Sequence, residues 1–488
     1  MDVELPPAAA AMAATPAEGY SDRRWVAMSV LLAAAFMNLI DVSIVNVALP
    51  SLLRAFRATA SQIEWIVAAY ILTFALLLLP AGRLGDILGR RRMFVAGLAV
   101  FTFGSALCGM APGIGALLAA RVLQATGGAV MMPQTLALVS VLFPPAERGK
   151  AFALFGLASG MASVTGPVLG GFLIGQDFRG LDWRPIFLVN IPVGLGAIVL
   201  ALRLVPEVRG SHPLKLDFVG IVLAAAALLS VVFPLIEGRG AGWPLWTFAL
   251  MVAAVPLALA FGLWEARQAR LGRVQLLPVS LLADRGFVLG TALSTLLYSG
   301  IPGFFVVLAV FLQSGFGLDP LHSGMMTMPF SVGVMTASLS SGRLGGRWQR
   351  QRITAGAGFM ALAMLSLRFV VLGTGDQVTW LGFMTPMFLG GFGLGTCISP
   401  IFQVVLASVP QRDSGSASGA LQAFQQVGGA LGVAIIGQIF FAHLAASGAV
   451  PAHPVYIGAM GAALVYNSTA FIAIAVLIWL VPRPEVQG

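Results

Sequence analysis

Charge is what this chain has least of. Asp, Glu, Lys and Arg make up 10% of its 488 residues, where a soluble globular chain carries roughly 25%, so a water-soluble globular fold is excluded. Lysine is scarcer still: Lys150 and Lys215 are the only two among 28 basic residues. Both cysteines, Cys108 and Cys397, lie inside apolar runs, which argues against a disulfide framework or a thiolate metal site. The four histidines, His212, His322, His443 and His453, fall in loops or near the ends of apolar runs. No Gly-x-x-x-x-Gly-Lys-Ser/Thr loop occurs and no Ser-His-Asp, His-Glu or Cys cluster is found, so ATP-driven work, resident metals and other cofactors, and catalysis are not expected. What the chain has instead is 58% apolar residues, gathered in runs of about 20, the length that crosses a bilayer as a helix. The runs do not alternate apolar and polar at every second residue, which excludes an outer-membrane barrel.

The fold expected is an all-α polytopic membrane protein with 14 transmembrane helices, starting near Trp25, Ile63, Arg92, Ile114, Gly149, Pro185, Lys215, Pro244, Gly286, Leu321, Ile353, Thr379, Ser416 and Met460. Charge orients them. With both termini cytoplasmic, the inner loops and tails hold 21 basic against 12 acidic residues, the outer loops 6 against 6, so the whole net charge of +9 lies inside. That is the positive-inside pattern, and it assigns the arginines to topology and anionic lipid headgroups rather than to nucleic acid. The expected site is the cell (inner or plasma) membrane.

"GRLGDILGRRR" at 82–92 returns as "GRLGGRWQRQR" at 342–352. The first joins spans 2 and 3, the second spans 10 and 11. Spans 1–6 and 9–14 then read as two parallel six-helix bundles, the architecture of rocking transporters, with spans 7 and 8 an inserted two-helix hairpin. The organisation is therefore 1–24, a disordered cytoplasmic tail; 25–205, the first bundle; 206–285, the inserted hairpin with its cytoplasmic linkers; 286–482, the second bundle; and 483–488, a short cytoplasmic tail. The linker at 265–285, with Arg267, Arg270 and Arg273, reads as interfacial.

Five segments carry a resemblance. "LIDVSIVNVALP" (39–50), the 82–92 loop, "LLAARVLQATGGAVMMP" (117–133), "GLASGMASVTGPVLGGFL" (156–173) and "DWRPIFLVNIPVG" (182–194) occur in order on the expected spans. Together they resemble the motifs of the major facilitator superfamily, in its fourteen-helix drug:proton antiporter branch, over about Trp25 to Pro482. Ile87 stands where that loop usually has a basic residue, and Pro185 where an aromatic is common. The resemblance implies a proton-gradient-driven exporter of small lipophilic or cationic compounds. It implies a conformational latch at Gly82, Gly85, Asp86, Gly89, Arg90 and Arg91. It also implies that Gly156, Gly160, Gly166, Pro167 and Gly170 form a motif of exporters on span 5.

The residues themselves support part of this. Glycines four apart on span 5 allow close helix packing, and Pro167 bends the helix. A latch needs a single acidic member, which accounts for Gly346 replacing the aspartate in the second copy. Asp41 is the one acidic residue placed well inside a span, and Arg121 the one basic residue. Each lies about 12 Å from the outer end of its helix, taken near Leu49 and Gly113, so they are expected to meet. An intramembrane charge must be paired or hydrated, and its proton affinity changes when its pairing changes. Asp41 is therefore the expected proton carrier, with Arg121 tuning it; a fixed structural ion pair is the alternative. A substrate cavity between the bundles draws candidates from Asn38, Tyr70, Gln124, Tyr298, Gln403, Gln422, Gln425 and Gln426. The partners expected are a small-molecule substrate, protons and membrane lipid, with the chain acting as a monomer. Competing readings are an exporter of one specific endogenous metabolite, a polytopic membrane enzyme, which lacks a positioned nucleophile, and a receptor, which lacks a signalling tail.

Overall fold

The computed structural model describes residues 24–143, 145–176, 180–208, 217–273, 275–344, 348–406, 409, 414–446 and 453–482; at Asp86, Gly156 and Gly160 only the backbone is described. Both terminal tails of the sequence reading lie outside the described residues, apart from Arg24. The described residues form helices and connecting turns, with no strand.

The helices are α1 (Arg24–Phe56), α2 (Ala60–Leu88), α3 (Arg90–Gly109), α4 (Ile114–Leu142), α5 (Pro145–Gly175), α6 (Pro185–Leu188) and α7 (Asn190–Leu204). Next come α8 (Phe218–Glu237), α9 (Leu245–Arg270) and the short α10 (Val279–Ala283). The last set is α11 (Arg285–Ser299), α12 (Pro302–Val310) running into a π-helical turn (Phe311–Gly315), α13 (Pro320–Leu344), α14 (Gln349–Leu372), α15 (Trp380–Leu406), α16 (Ser414–Ala445) and α17 (His453–Leu477).

Among the described residues twelve helical stretches are long and apolar enough to cross a membrane, α6 with α7 forming one and α11 with α12 and the π turn another. The long helices α5 and α13 are not in that set. Several helices begin earlier or end later than their apolar runs. α1 continues through Pro50 to Phe56, past the expected end near Leu49, and α17 begins at His453 rather than near Met460. Local chemistry sets other ends: Thr59 and Gln62 make a reciprocal capping box at α2, and Asp217 and Asp284 cap α8 and α11 through the backbone N–H groups of Gly220 and Phe287.

Packing follows one pattern twice. α1 packs on α5 and α7, α2 on α4, and α3 on α4 and α7; likewise α11 packs on α16 and α17, α13 on α15, and α14 on α15 and α17. Glycine allows the closest of these approaches. A Cβ on Gly97 would lie 2.7 Å from the Met131 nitrogen and 2.8 Å from the Gly127 oxygen; one on Gly356 would lie 2.6 Å from the Gly393 oxygen. Gly97 and Gly356 are separated by nearly the spacing of the two repeated loops. α8 and α9 pair with each other, and α8 also touches α2 from the first set and α16 from the second.

The two sets meet along α2 with α16, α5 with α13, and α1 with α12. Take the end of the bundle where α1 begins as the near end. At the far end, a Cβ on Gly171 of α5 would lie 2.5 Å from the Leu321 Cα of α13, and one on Gly324 would lie 2.4 Å from the Pro167 oxygen. Gln313, in the π turn, donates to the Val47 carbonyl of α1 at 2.8 Å. The far end is thus closed by contacts between the two sets.

Gly127→Val, forced against the Phe101 backbone nitrogen 2.2 Å from the ideal Cβ position, is expected to lower stability by about 1–3 kcal/mol. Gly196→Val, which meets nothing within 4 Å, should leave the melting temperature of detergent-purified protein nearly unchanged.

Candidate functional site: a buried carboxylate network

Asp41 lies mid-way along α1 and is fully buried, as is the Arg121 that faces it from α4. Arg121 Nη1 donates to Asp41 Oδ2 at 2.6 Å and to Gln124 Oε1, one turn along the same helix, at 2.6 Å. Gln124 Nε2 in turn donates to Asp41 Oδ1 at 2.7 Å and to Ser105 Oγ of α3 at 3.1 Å. Asn190, the first residue of α7, donates to Asp41 Oδ1 at 3.1 Å and to Ser105 Oγ at 2.9 Å. The Ser105 hydroxyl donates to the Phe187 carbonyl at 2.9 Å.

Below the arginine, the Tyr70 ring of α2 has its centre 4.2 Å from the guanidinium carbon, a cation–π contact strengthened by the burial of both side chains. Asn38 donates to the Tyr70 hydroxyl at 2.8 Å, and Arg121 Nε reaches the Ile66 carbonyl at 3.4 Å.

The arrangement is built for an anion. Three donors converge on a group that, ionised, only accepts, and each donor is itself held by a second bond. A proton on Asp41 would turn one acceptor site into a donor facing N–H groups. Proton binding therefore requires part of the network to move. Every member belongs to the first helix set.

Of the residues singled out in the sequence, the structure brings Asp41, Arg121, Gln124, Asn38 and Tyr70 together; the last three, named there as cavity candidates, are members or neighbours of the charge network. Asn190 and Ser105 were missed. Asn190 was in view, inside "DWRPIFLVNIPVG", as a polar residue within an apolar span. Pro192 lacks the N–H that would bond the Leu188 carbonyl, and the hydrogen-bond ladder is interrupted between α6 and α7, where Asn190 lies. Trp183, fully buried at the head of that motif, packs against Phe56 and Phe187.

The other cavity candidates sit on the second set. Gln425 donates to Ser294 at 3.0 Å. Gln403 accepts from Gln349 at 3.0 Å and donates to Ser399 at 3.2 Å. Tyr298, Gln422 and Gln426 are half-buried on α11 and α16. None of these five touches the carboxylate network.

The charged loop at the near end is held tightly to its own set. Gly89 has φ of 105°, open to glycine, and a Cβ there would lie 2.5 Å from Glu207. A Cβ on Gly85 would lie 1.8 Å from Gln134 Oε1, while Gly82 has its nearest neighbour, Pro133, at an ordinary 3.7 Å. The backbone N–H of Arg90 donates to the Val208 carbonyl at 2.8 Å. Arg91 donates through its backbone N–H to Glu207 Oε1 at 3.2 Å and through its guanidinium to the Val205 carbonyl at 3.3 Å. Arg92 lies 3.5 Å from the same carboxylate. Glu207 is thus an acidic partner of the loop that the motif did not announce. The side chain of Asp86, the expected acidic member of the latch, lies outside the described residues.

The span 5 motif joins two surfaces. Gly166 and Gly170 give way to Ser43 and Ile44 of α1, next to Asp41: a Cβ on each would lie 1.9 Å from Ser43 Oγ and 2.6 Å from Ile44 Cγ1. Pro167 faces Gly324 of α13 across the junction between the sets. The surroundings of Gly156 and Gly160 lie outside the described residues.

Removing Arg121 alone strands the buried Asp41 carboxylate, so Arg121→Gln is expected to cost about 3–5 kcal/mol. Asp41→Asn combined with Arg121→Gln should recover much of that loss in thermal unfolding of purified protein, because no uncompensated charge remains.

Residues 31–433 match the family model described as Major Facilitator Superfamily. The chain is 40% identical over 423 residues to the "Probable actinorhodin transporter" of Streptomyces coelicolor, covering 86% of this chain and 73% of that one. It is 33% identical to the "Multidrug resistance protein Stp" of Mycobacterium tuberculosis, covering 84% and 75%. It is 31% identical to the "Tetracenomycin C resistance and export protein" of Streptomyces glaucescens, covering 87% and 78%. The fold matches a solved POT family transporter in complex with 5-aminolevulinic acid, with a TM-score of 0.67, 14% identity and coverage of 94% and 96%. With a family model spanning most of its length and relatives among antibiotic and multidrug resistance transporters, the chain belongs to the Major Facilitator Superfamily.

Proposed function

We propose that the protein is a proton-coupled antiporter that exports small lipophilic or cationic compounds by alternating access, with Asp41 as the proton carrier and Arg121 tuning it. The observation that carries this reading is the buried network itself: one carboxylate and three donors that must rearrange before it takes a proton. The named roles of the relatives in actinorhodin transport, multidrug resistance and tetracenomycin C export point to amphiphilic cargo moving outward.

Fourteen spans underlie the mechanism. α5 and α13 traverse with the other twelve, so that α1–α7 and α11–α17 form the two rocking halves and α8–α9 the inserted hairpin. The near end faces the cytoplasm of a cell membrane, with both termini there, as the arginine-rich loops favour. In this reading Tyr70 and Asn38, bonded to each other and packed on Arg121, form a wall between Asp41 and the substrate path. Substrate therefore acts on Asp41 through this wall rather than by touching it: displacing Tyr70 loosens Arg121, and Asp41 changes its hold on a proton. The 82–92 loop, with Gly82, Gly85, Asp86, Gly89, Arg90 and Arg91, latches the cytoplasmic side when the far end opens. The driving force is the proton gradient, no cofactor takes part, and the chain works as a monomer. An exporter of a single endogenous metabolite would use the same machinery with a narrower pocket.

The test uses energised inside-out vesicles containing a pH-sensitive dye and a panel of lipophilic cations and neutral antibiotics. Compound-evoked proton release by the wild type, abolished in Asp41→Asn, is the expected result. Release that persists in Asp41→Asn would remove Asp41 from the coupling path. A response to one compound class only would favour the single-metabolite reading.

A further inference from the structure

A second buried ion pair lies at the far end, where the two helix sets meet. Glu64, in the first turn of α2, is fully buried and sits 3.0 Å from the Arg239 guanidinium. Arg239 is not on either set. It lies in the turn between α8 and α9, at the tip of the hairpin. Its other guanidinium nitrogen donates to the Gly437 carbonyl of α16 at 3.3 Å, and its guanidinium carbon lies 5.2 Å from the centre of the Phe441 ring on the same helix. One arginine thus touches all three parts of the molecule.

The hairpin is fastened to α2 by two neighbouring bonds. Trp65 Nε1 donates to Glu237 at 2.7 Å, and the Ser61 hydroxyl donates to the Ile236 carbonyl at 3.1 Å. Towards α16, α8 packs directly, and at the tip Arg239 adds its hydrogen bond and its contact with the Phe441 ring. The hairpin is thus bonded to the first set through α2, and Arg239 is its polar link to α16 across the junction.

We infer that Glu64, Arg239 and Gly437 form a gate on the far end, with the arginine supplied by the inserted hairpin, and that opening this end means pulling Arg239 and Glu64 away from α16. Gly437 makes the closed form possible: a Cβ there would lie 2.6 Å from the Glu64 carboxyl carbon. The closed form is also built to release. Glu64 Oε2 is buried with no hydrogen-bond partner, so closure leaves part of the carboxylate desolvated without compensation, and water entering on opening restores it. An arginine removed on its own leaves Glu64 as an uncompensated buried charge, which favours the open, hydrated arrangement. Removing both charges takes that bias away. This gives the hairpin a part in the transport cycle that its position outside the repeat does not disclose.

The experiment measures access to the junction. Ser323, nearly fully buried beside Gln313 and Val47, is changed to cysteine in protein reconstituted in nanodiscs, where a membrane-impermeant maleimide reaches both faces; Cys108 and Cys397 are fully buried and supply the background. Neither sidedness nor proton coupling enters the readout, so a failed Asp41 assignment does not affect it. Arg239→Gln is expected to raise the labelling rate about tenfold. Adding Glu64→Gln to Arg239→Gln should bring the rate back toward that of the parent. Gly437→Ala, which keeps every charge and suits a helix, should raise it by unseating the carboxylate. Unchanged labelling in both Arg239→Gln and Gly437→Ala would overturn the gate. So would a double variant labelled faster than Arg239→Gln, because general loosening accumulates whereas a released charge bias reverses.

Discussion

A charge in the membrane interior has to be satisfied by the protein, and the first helix set is organised around that requirement. Asp41 cannot be hydrated where it lies, so four helices each contribute to holding it. α4 brings Arg121 and Gln124, α3 brings Ser105, α7 brings Asn190, and α2 covers the arginine with Tyr70. Each of these residues has a second bond that fixes it, so movement at one is felt at the carboxylate.

The packing between and within the helix sets combines buried apolar side chains with close backbone approaches at glycine. Glycines bring α3 to α4 and α14 to α15, and they bring α5 to both α1 and α13. In lipid there is little hydrophobic drive between apolar helices, so close van der Waals contact supplies the association. α5 touches both α1, which carries the carboxylate, and the second helix set. Gly166 and Gly170 lie against Ser43 and Ile44, beside Asp41, while Pro167 and Gly171 lie against α13. A shift of α5 across the junction is felt within one turn of the carboxylate.

Much of this was legible in the residues. Long apolar runs dictate helices, two charges at equal depth must pair, and a repeated loop marks a repeated packing pattern. What could not be read follows from distance in the chain. Asp41 and Asn190 are bonded across 149 residues, and no local pattern announces that an asparagine in a proline-flanked stretch will turn inward. Glu64, next to the expected start of its span near Ile63, is among the six acidic residues of the outer loops in the sequence count. The helix starts at Ala60, and that extra turn, with the hairpin tip packed over it, buries the carboxylate completely. Glu207 was likewise assigned to a solvated linker, although the turn after α7 folds back onto the arginines of the 82–92 loop. Among the cavity candidates, glutamines and tyrosines within spans carry no sign of which neighbour will satisfy them, so bundle partners and cavity walls look alike in sequence.

The central claim is that Asp41 is the carboxyl group whose proton comes and goes as the transporter works. Infrared difference spectroscopy between acidic and alkaline reconstituted protein reads protonated carboxyl groups directly from their carbonyl stretch. The account predicts a carboxylic-acid band from a water-excluded site that is lost in Asp41→Asn and shifted in position when Asn190→Ala removes one of the donors. An unchanged band in Asp41→Asn, with the protein folded and inserted, would contradict it and leave the Asp41–Arg121 pair a fixed strut of the first helix set.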